Sequence, residues 1–288
     1  ALQVTSAVEK YSKFMHRVRT GTVLGGMPYP KQRRLLESPL DILVATPGRL
    51  LDLMNQRCVN LQNVEFLVLD EADRMLDMGF IRDVKVIVSK IVVERQTLLF
   101  SATMPEAVMS LAKGILKNFE RIEVTPPSTT VERIEQRVMF VARDDKRRLL
   151  AELLHDKSVT RALVFTRTKH AANRVAEQLI KTGVSADAIH GNKSQNARQR
   201  SLADFKSGKA RVLVATDIAA RGIDVDSISH VINYELPADP ESYVHRIGRT
   251  ARAGMSGAAI SFCDADEVDD LRAIERTTRQ TITVDTTH

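Results

Sequence analysis

Apolar residues along this chain gather in short aliphatic runs, and between those runs they recur at helical spacing. Runs at 41–45, 64–70, 97–101 and 121–125 read as strands. Apolar positions over 49–56, 80–92 and 105–116 read as helices. The stretch Thr125-Pro126-Pro127-Ser128-Thr129-Thr130 interrupts this rhythm and reads as a linker, because two prolines continue neither a helix nor a central strand. Beyond it the alternation restarts, with strands at 136–142, 162–166, 186–190, 211–215, 230–234 and 258–263. Helices at 146–155, 169–182, 196–207, 240–246 and 267–279, and a last short strand at 281–284, complete the pattern. Such alternation predicts an α/β fold with parallel sheets built from βα units. The two halves read as two copies of one architecture, with no short-period repeat.

Chemically distinctive residues follow these strands directly, where open α/β sheets hold their ligands. Residues 66–73, Phe-Leu-Val-Leu-Asp-Glu-Ala-Asp, end an apolar strand on two adjacent carboxylates, Asp70 and Glu71. There an aspartate suits Mg²⁺ held through water, and a neighbouring glutamate suits the orientation of an attacking water. The strand ending Ser101-Ala102-Thr103 offers two hydroxyls. Taken alone they read as a helix cap before Pro105; beside the acidic strand end they could bond to Asp73. Thr46-Pro47-Gly48-Arg49 reads either as a plain turn into a helix or as a phosphate cradle at a helix N-terminus. Gly25-Gly26 reads as a tight turn or a close backbone approach to a ligand.

In the second half, Ala215-Thr216-Asp217 ends a strand and Ala220-Arg221-Gly222-Ile223-Asp224 follows it. Gly222 permits backbone approach and Asp224 suits a ribose hydroxyl, although a capped loop would use the same residues. Residues 245–252, His-Arg-Ile-Gly-Arg-Thr-Ala-Arg, form a row of guanidinium groups whose forked donors match phosphate. An acidic strand end in one half and arginines in the other describe an NTPase site divided between two domains.

Bulk properties are compatible with this and add little. The 288 residues are enough for two domains, with 43 % hydrophobic and 27 % charged positions. A net charge of +6 suits a polyanion. Aromatic residues are only 5 % and tryptophan is absent, so backbone contacts rather than base stacking should carry any nucleic-acid binding. No apolar run approaches the ~18 residues of a membrane span. Cys58 and Cys263 are isolated, which argues against a disulfide framework or zinc site and for a reducing cytoplasm.

The ordered series 70–73, 101–103, 220–224 and 245–252, with Thr46-Pro47-Gly48-Arg49, Gly25-Gly26, Phe165-Thr166-Arg167 and Gln195-Asn196-Ala197-Arg198, resembles the DEAD-box ATP-dependent RNA helicases, bacterial ones in particular. The resemblance covers essentially the whole chain. It implies two RecA-like domains, each a mostly parallel sheet flanked by helices: a first domain at 1–124, a short linker at 125–132, and a second domain at 133–288. It further implies RNA-stimulated ATP hydrolysis coupled to closure on single-stranded RNA and local unwinding; an ATP-gated RNA clamp that unwinds little needs the same residues. By this resemblance Asp70 would hold Mg²⁺ through water, and Glu71 would position the hydrolytic water. Arg249 and Arg252 would offset charge on the γ-phosphoryl group, and Gly222 and Asp224 would bind ATP. Asp73, Ser101, Thr103 and His245 would couple the domains. RNA phosphates would lie on Gly26, Thr46, Pro47, Gly48 and Arg49 in the first domain, and on Thr166, Arg167, Gln195, Arg198 and Thr216 in the second. Such contacts read the backbone, without sequence preference.

Two departures stand out. The 288 residues contain no G-x-x-x-x-G-K-S/T, and Ala1-Leu2-Gln3-Val4 resembles the tail of the motif that follows the family's phosphate loop. The chain is therefore read as a fragment with an incomplete first domain, expected to hydrolyse ATP negligibly by itself. Ala251 also stands where the family usually has glycine. A methyl group there is mild in a helix and strained at positive φ, and no loss of function is expected.

Overall fold

A computed structural model describes residues 1–16, 18–123, 134–220, 223, 225, 227–251 and 257–287. The chain divides into two compact units, Ala1–Ile122 and Glu123–His288. The linker expected at 125–132 lies outside the described residues.

The first unit opens with helix α1 (Leu2–Tyr11), strand β1 (Thr20–Val23), α2 (Tyr29–Leu36), β2 (Ile42–Ala45) and α3 (Pro47–Asn55). Then come β3 (Phe66–Leu69), α4 (Ala72–Asp77), α5 (Ile81–Ser89), β4 (Gln96–Leu99) and α6 (Glu106–Ile115). β1 pairs with β2 and β3 with β4, both parallel, and among the described residues these are two separate pairs rather than one sheet. The apolar strand β3 is not buried throughout: Phe66 and Val68 are 65 % and 54 % exposed. Among the described residues β3 pairs only with β4, and Phe66 and Val68 join none of the buried clusters. The other face of β3 closes through Leu69 onto Val84, Leu111 and Ile115 of α5 and α6. The strand expected at 121–125 does not form over its described part, residues 121–123, where the one apolar side chain, Ile122, is 86 % exposed.

The second unit carries β5 (Ile134–Phe140), α7 (Lys146–His155), β6 (Ala162–Phe165), α8 (Lys169–Lys181), β7 (Ala186–Ile189), α9 (Gln195–Lys206) and β8 (Val212–Ala215). It continues with α10 (Asp217–Ala220), β9 (His230–Asn233), α11 (Pro240–Ile247), β10 (Gly257–Cys263), α12 (Val268–Thr278) and β11 (Thr283–Val284). Seven strands form one sheet in the order β11-β5-β10-β9-β6-β8-β7, every pair parallel. β6 and β8 are buried at every position, which explains their unbroken apolar sequences. Alternation then splits them. Val164 and Val214 pack with Leu150, Val175 and Leu179 on one face, and Leu163, Phe165 and Leu213 pack with Ile189 and Phe205 on the other. Local chemistry sets the helix starts: Thr168 accepts from Ala171 N at 3.1 Å, and Asp239, before Pro240, accepts from Ser242 N at 3.0 Å. Among the described residues no helix is long and apolar enough to cross a membrane.

Candidate functional site

β3 delivers Asp70 and Glu71 to its C-terminal end, and both residues are exposed there. Glu71 caps α4 from the left-handed region at φ 55° and ψ 53°, an unusual conformation for a residue with a Cβ. Its carboxylate accepts from Arg74 Nη1 at 2.7 Å. Two residues on, Asp73 is bound to the turn after β4. Asp73 Oδ2 accepts from Thr103 N at 2.9 Å and Thr103 Oγ1 at 3.1 Å, and Asp73 N donates to Ser101 Oγ at 3.1 Å. Ser101 Oγ in turn donates to Thr103 O at 2.6 Å. The acidic strand end and the hydroxyl pair are thus one hydrogen-bonded junction.

The loops after β1 and β2 make a second cluster in the first unit. Gly25 N donates to Thr46 Oγ1 at 3.1 Å, Gly26 has φ 75°, and Pro47 and Gly48 open α3. Arg49 Nη1 donates to Met27 O at 2.8 Å, with the guanidinium 4.0 Å above the Tyr29 ring. The buried Gln32 holds this turn by accepting from Leu24 N at 2.8 Å and donating to Leu24 O and Met27 O at 3.2 Å each. Nothing in the sequence marks Gln32, which sits among Lys31, Arg33 and Arg34.

In the second unit the expected residues differ in depth and in how far protein groups engage them. Gln195 opens α9 and Arg198 lies in its first turn, both half-buried, after the cap Ser194. Thr216 follows β8 and starts α10 by accepting from Ala219 N and Ala220 N. Thr166 is fully buried and donates its hydroxyl to Thr168 O at 3.2 Å, so that hydroxyl serves the turn rather than facing solvent. Arg167 is engaged by protein groups considered below.

The arginine row needs a correction. Arg246 is 1 % exposed and grips Asp217 with both edges of its fork, Nε to Oδ1 at 2.6 Å and Nη2 to Oδ2 at 2.8 Å. It is a structural residue, not a phosphate donor. His245 and Arg249 are half-buried on α11 and just after it, beside a small pocket also lined by Phe165 and Ser242. Arg249 Nη1 donates to Ile223 O at 3.2 Å. Gly222, Asp224 and Arg252 lie outside the described residues.

Ala251 takes φ 54°, the strained alternative at this position. Ala251→Gly is therefore expected to stabilise the second unit, because the left-handed region costs an alanine about 1 kcal/mol. A thermal midpoint raised by about 2–4 °C is the expected result; an unchanged or lower midpoint would refute it.

His190, after β7, is buried with Nε2 2.9 Å from Asn173 Oδ1, and its Nδ1 has no hydrogen-bond partner among the described residues. Burial, then Lys193, Lys169, His170 and Arg198, hold its pKa below the ordinary histidine value. Burial does the same to His230, against an opposing pull from Asp156. The unfolded chain takes up these protons near pH 6.5, while the folded chain resists them. Stability should therefore fall as pH drops below about 6.5. Urea midpoints at two pH values, one either side of that point, check this, and His190→Asn should show the smaller decline. A higher midpoint at the acid pH would contradict it.

The fold agrees with what comparison finds. A family model described as DEAD/DEAH box helicase matches residues 1–111, and one described as helicase conserved C-terminal domain matches 145–254. The DEAD-box ATP-dependent RNA helicase CshA of Bacillus licheniformis is 45 % identical over 280 residues, covering 97 % of this chain and 57 % of that protein. CshA of Bacillus subtilis is 44 % identical over 97 % of this chain and 56 % of its own length. The chain thus spans a little over half of the curated relatives it matches. Among solved structures, S. cerevisiae Dbp5 bound to RNA and ADP BeF3 aligns with a TM-score of 0.85 at 33 % identity, over 98 % of this chain and 73 % of that one. A DEAD box protein from Methanococcus jannaschii is 40 % identical over 99 % of this chain and 77 % of that one, with a TM-score of 0.54. The architecture is therefore that of a RecA-like helicase core. The chain belongs to the DEAD-box helicase family.

Proposed function

We propose that this chain works as the core of an ATP-dependent RNA helicase, coupling RNA-stimulated ATP hydrolysis to a grip on single-stranded RNA and local duplex separation. The observation that carries the reading is the junction of residues 70–73 with Ser101 and Thr103, which ties a nucleotide-facing strand end to a second loop through Asp73. Asp70 is an exposed, acceptor-only oxygen ligand, which fits Mg²⁺. Among the described residues no three His, Cys, Asp or Glu side chains group as a metal cage, so Asp70 would share the ion with phosphate and water. The ion would supply charge neutralisation on the nucleotide phosphates.

In this reading Glu71 orients the attacking water, and Arg249 and Arg252 offset charge on the transferred phosphoryl group. Gly222 and Asp224 hold the nucleotide, with Asp224 on the ribose. Asp73, Ser101, Thr103 and His245 couple nucleotide state to RNA grip. Gly26, Thr46, Pro47, Gly48 and Arg49 face RNA phosphates in the first unit, and Gln195, Arg198 and Thr216 do so in the second. The first unit occupies roughly the segment assigned to 1–124 and the second that assigned to 133–288, and the protein works in the cytoplasm. The similarity to S. cerevisiae Dbp5, which was bound to RNA and ADP BeF3, supports RNA and an adenine nucleotide as the ligands in this reading.

Anisotropy of labelled single-stranded RNA and DNA of one sequence, titrated across a salt series, tests the partner. Salt-sensitive binding that favours RNA and tolerates changes of sequence is expected. Equal affinity for DNA would overturn the RNA preference.

A further inference from the structure

Arg167 follows β6, and protein groups occupy two of its guanidinium nitrogens. Nε donates to Leu236 O at 2.6 Å, while Nη2 lies 2.6 Å from Asp270 Oδ2 and 3.4 Å from Glu267 Oε1. Its backbone N–H donates to Glu235 Oε2 at 2.7 Å. Glu267 is 3 % exposed and anchors the set from below. Its Oε1 also accepts from Leu236 N at 3.0 Å, and its Oε2 pairs with the buried Lys146 and accepts from Asp264 N at 3.2 Å. Lys146 Nζ reaches Asp264 Oδ2 at 2.9 Å as well. From the other side, Arg246 Nη1 donates to Glu235 O at 2.7 Å. One arginine therefore cross-links the turn after β6, the Glu235-Leu236 segment after β9, and the start of α12.

We propose that Arg167 is a positioning residue for the RNA grip of the second unit, holding the turn after β6 in place instead of neutralising an RNA phosphate itself. The proposal rests on the RNA-binding reading above. Its ground is competition: a phosphate brought to this fork would contend with Asp270 and Glu267 for Nη2, find Nε held by Leu236 O, and meet the repulsion of both carboxylates even at Nη1. The neighbouring Thr166 fits the same role, since its hydroxyl closes the turn onto Thr168 O.

Amide hydrogen exchange of Arg167→Gln gives the first test, with no RNA present. Exchange should quicken in peptides covering 162–170 and 233–238 and stay unchanged over β8. Unchanged exchange in both segments overturns the proposal.

RNA binding gives the second test, by anisotropy of a fluorescein-labelled single-stranded RNA oligonucleotide over a salt series. Arg167→Gln should weaken binding by about 3- to 10-fold, the net effect of one lost hydrogen bond. The slope of log affinity on log salt should stay as in the wild type, whereas a lost phosphate contact would flatten it by about 0.7. Arg167→Lys keeps the charge but not the fork, so it should restore only part of the affinity.

Asp270→Asn decides by sign. It weakens RNA binding if Arg167 positions the turn, and tightens it if a phosphate-binding arginine is being released from a carboxylate. A flattened slope in Arg167→Gln, or tighter binding by Asp270→Asn, overturns the proposal. If the wild-type chain binds no RNA at any salt, the RNA reading fails instead, and the exchange result alone judges Arg167.

Discussion

Replacing Glu71 by glutamine is expected to cut ATP turnover by about 10²–10⁴-fold, the usual worth of a positioned acid–base group. The assay needs a chain carrying a phosphate-binding loop, since these 288 residues contain no such sequence. The substitution keeps shape and hydrogen bonding while removing the charge that would orient or deprotonate the attacking water. The neighbouring Asp70 and the Asp73–Thr103 junction are left untouched. RNA affinity in the presence of ATP should therefore survive, and the variant should remain on RNA once bound. Glu71 holds its position from a left-handed backbone with Arg74 at 2.7 Å, a strained placement typical of residues that act on a ligand. Turnover within a factor of a few of wild type (about threefold, on that scale) would remove Glu71 from the chemistry.

The second large effect concerns folding. Arg246→Ala is expected to destabilise the second unit by about 3 kcal/mol, through the lost charge-assisted hydrogen bonds of a buried guanidinium and the void it leaves. Its guanidinium meets Asp217 twice, Asn233 Oδ1 at 3.1 Å and Glu235 O at 2.7 Å, and lies 5.0 Å from the Phe165 ring centre. Alanine leaves all these acceptors without their donor and opens a void beside Phe165. The thermal midpoint of the unit should fall by about 10 °C, at roughly 2–4 °C per kcal/mol for a domain of this size. Replacing Asp217 and Arg246 together by apolar residues should cost less than the single change, because the Asp217 carboxylate is then not left without its donor. A midpoint for Arg246→Ala within about 2 °C of wild type would contradict the structural role.

Arg246 and Arg249 differ by one helical turn and are indistinguishable by residue type. What separates them is Asp217, 29 positions earlier in the chain, which pulls one guanidinium inward. Arg167 poses the same problem, with partners 68 to 103 positions away. Periodicity reports which face of an element is apolar, and it is silent about such distant ion pairs. The strand ends were legible because carboxylates, hydroxyls and glycines directly follow apolar runs, as in 66–73 and 212–217. Helix α7 occupies the residues that the sequence pattern predicts, Lys146–His155. β1 escaped notice because Thr20-Gly21-Thr22 breaks any apolar run. α2 escaped because its one buried side chain is the polar Gln32. The exposure of Phe66 and Val68 is equally hidden, since an apolar run signals burial whether or not side chains pack over both of its faces.

Phosphate release by the chain joined to a phosphate-binding loop tests the helicase assignment most directly, measured with single-stranded RNA, with single-stranded DNA and with no nucleic acid. Release stimulated by RNA, weakly or not at all by DNA, and lost in Glu71→Gln is the predicted result. Release that is equal in all three conditions, or that persists in Glu71→Gln, would contradict an RNA-dependent ATPase built on residues 70–73.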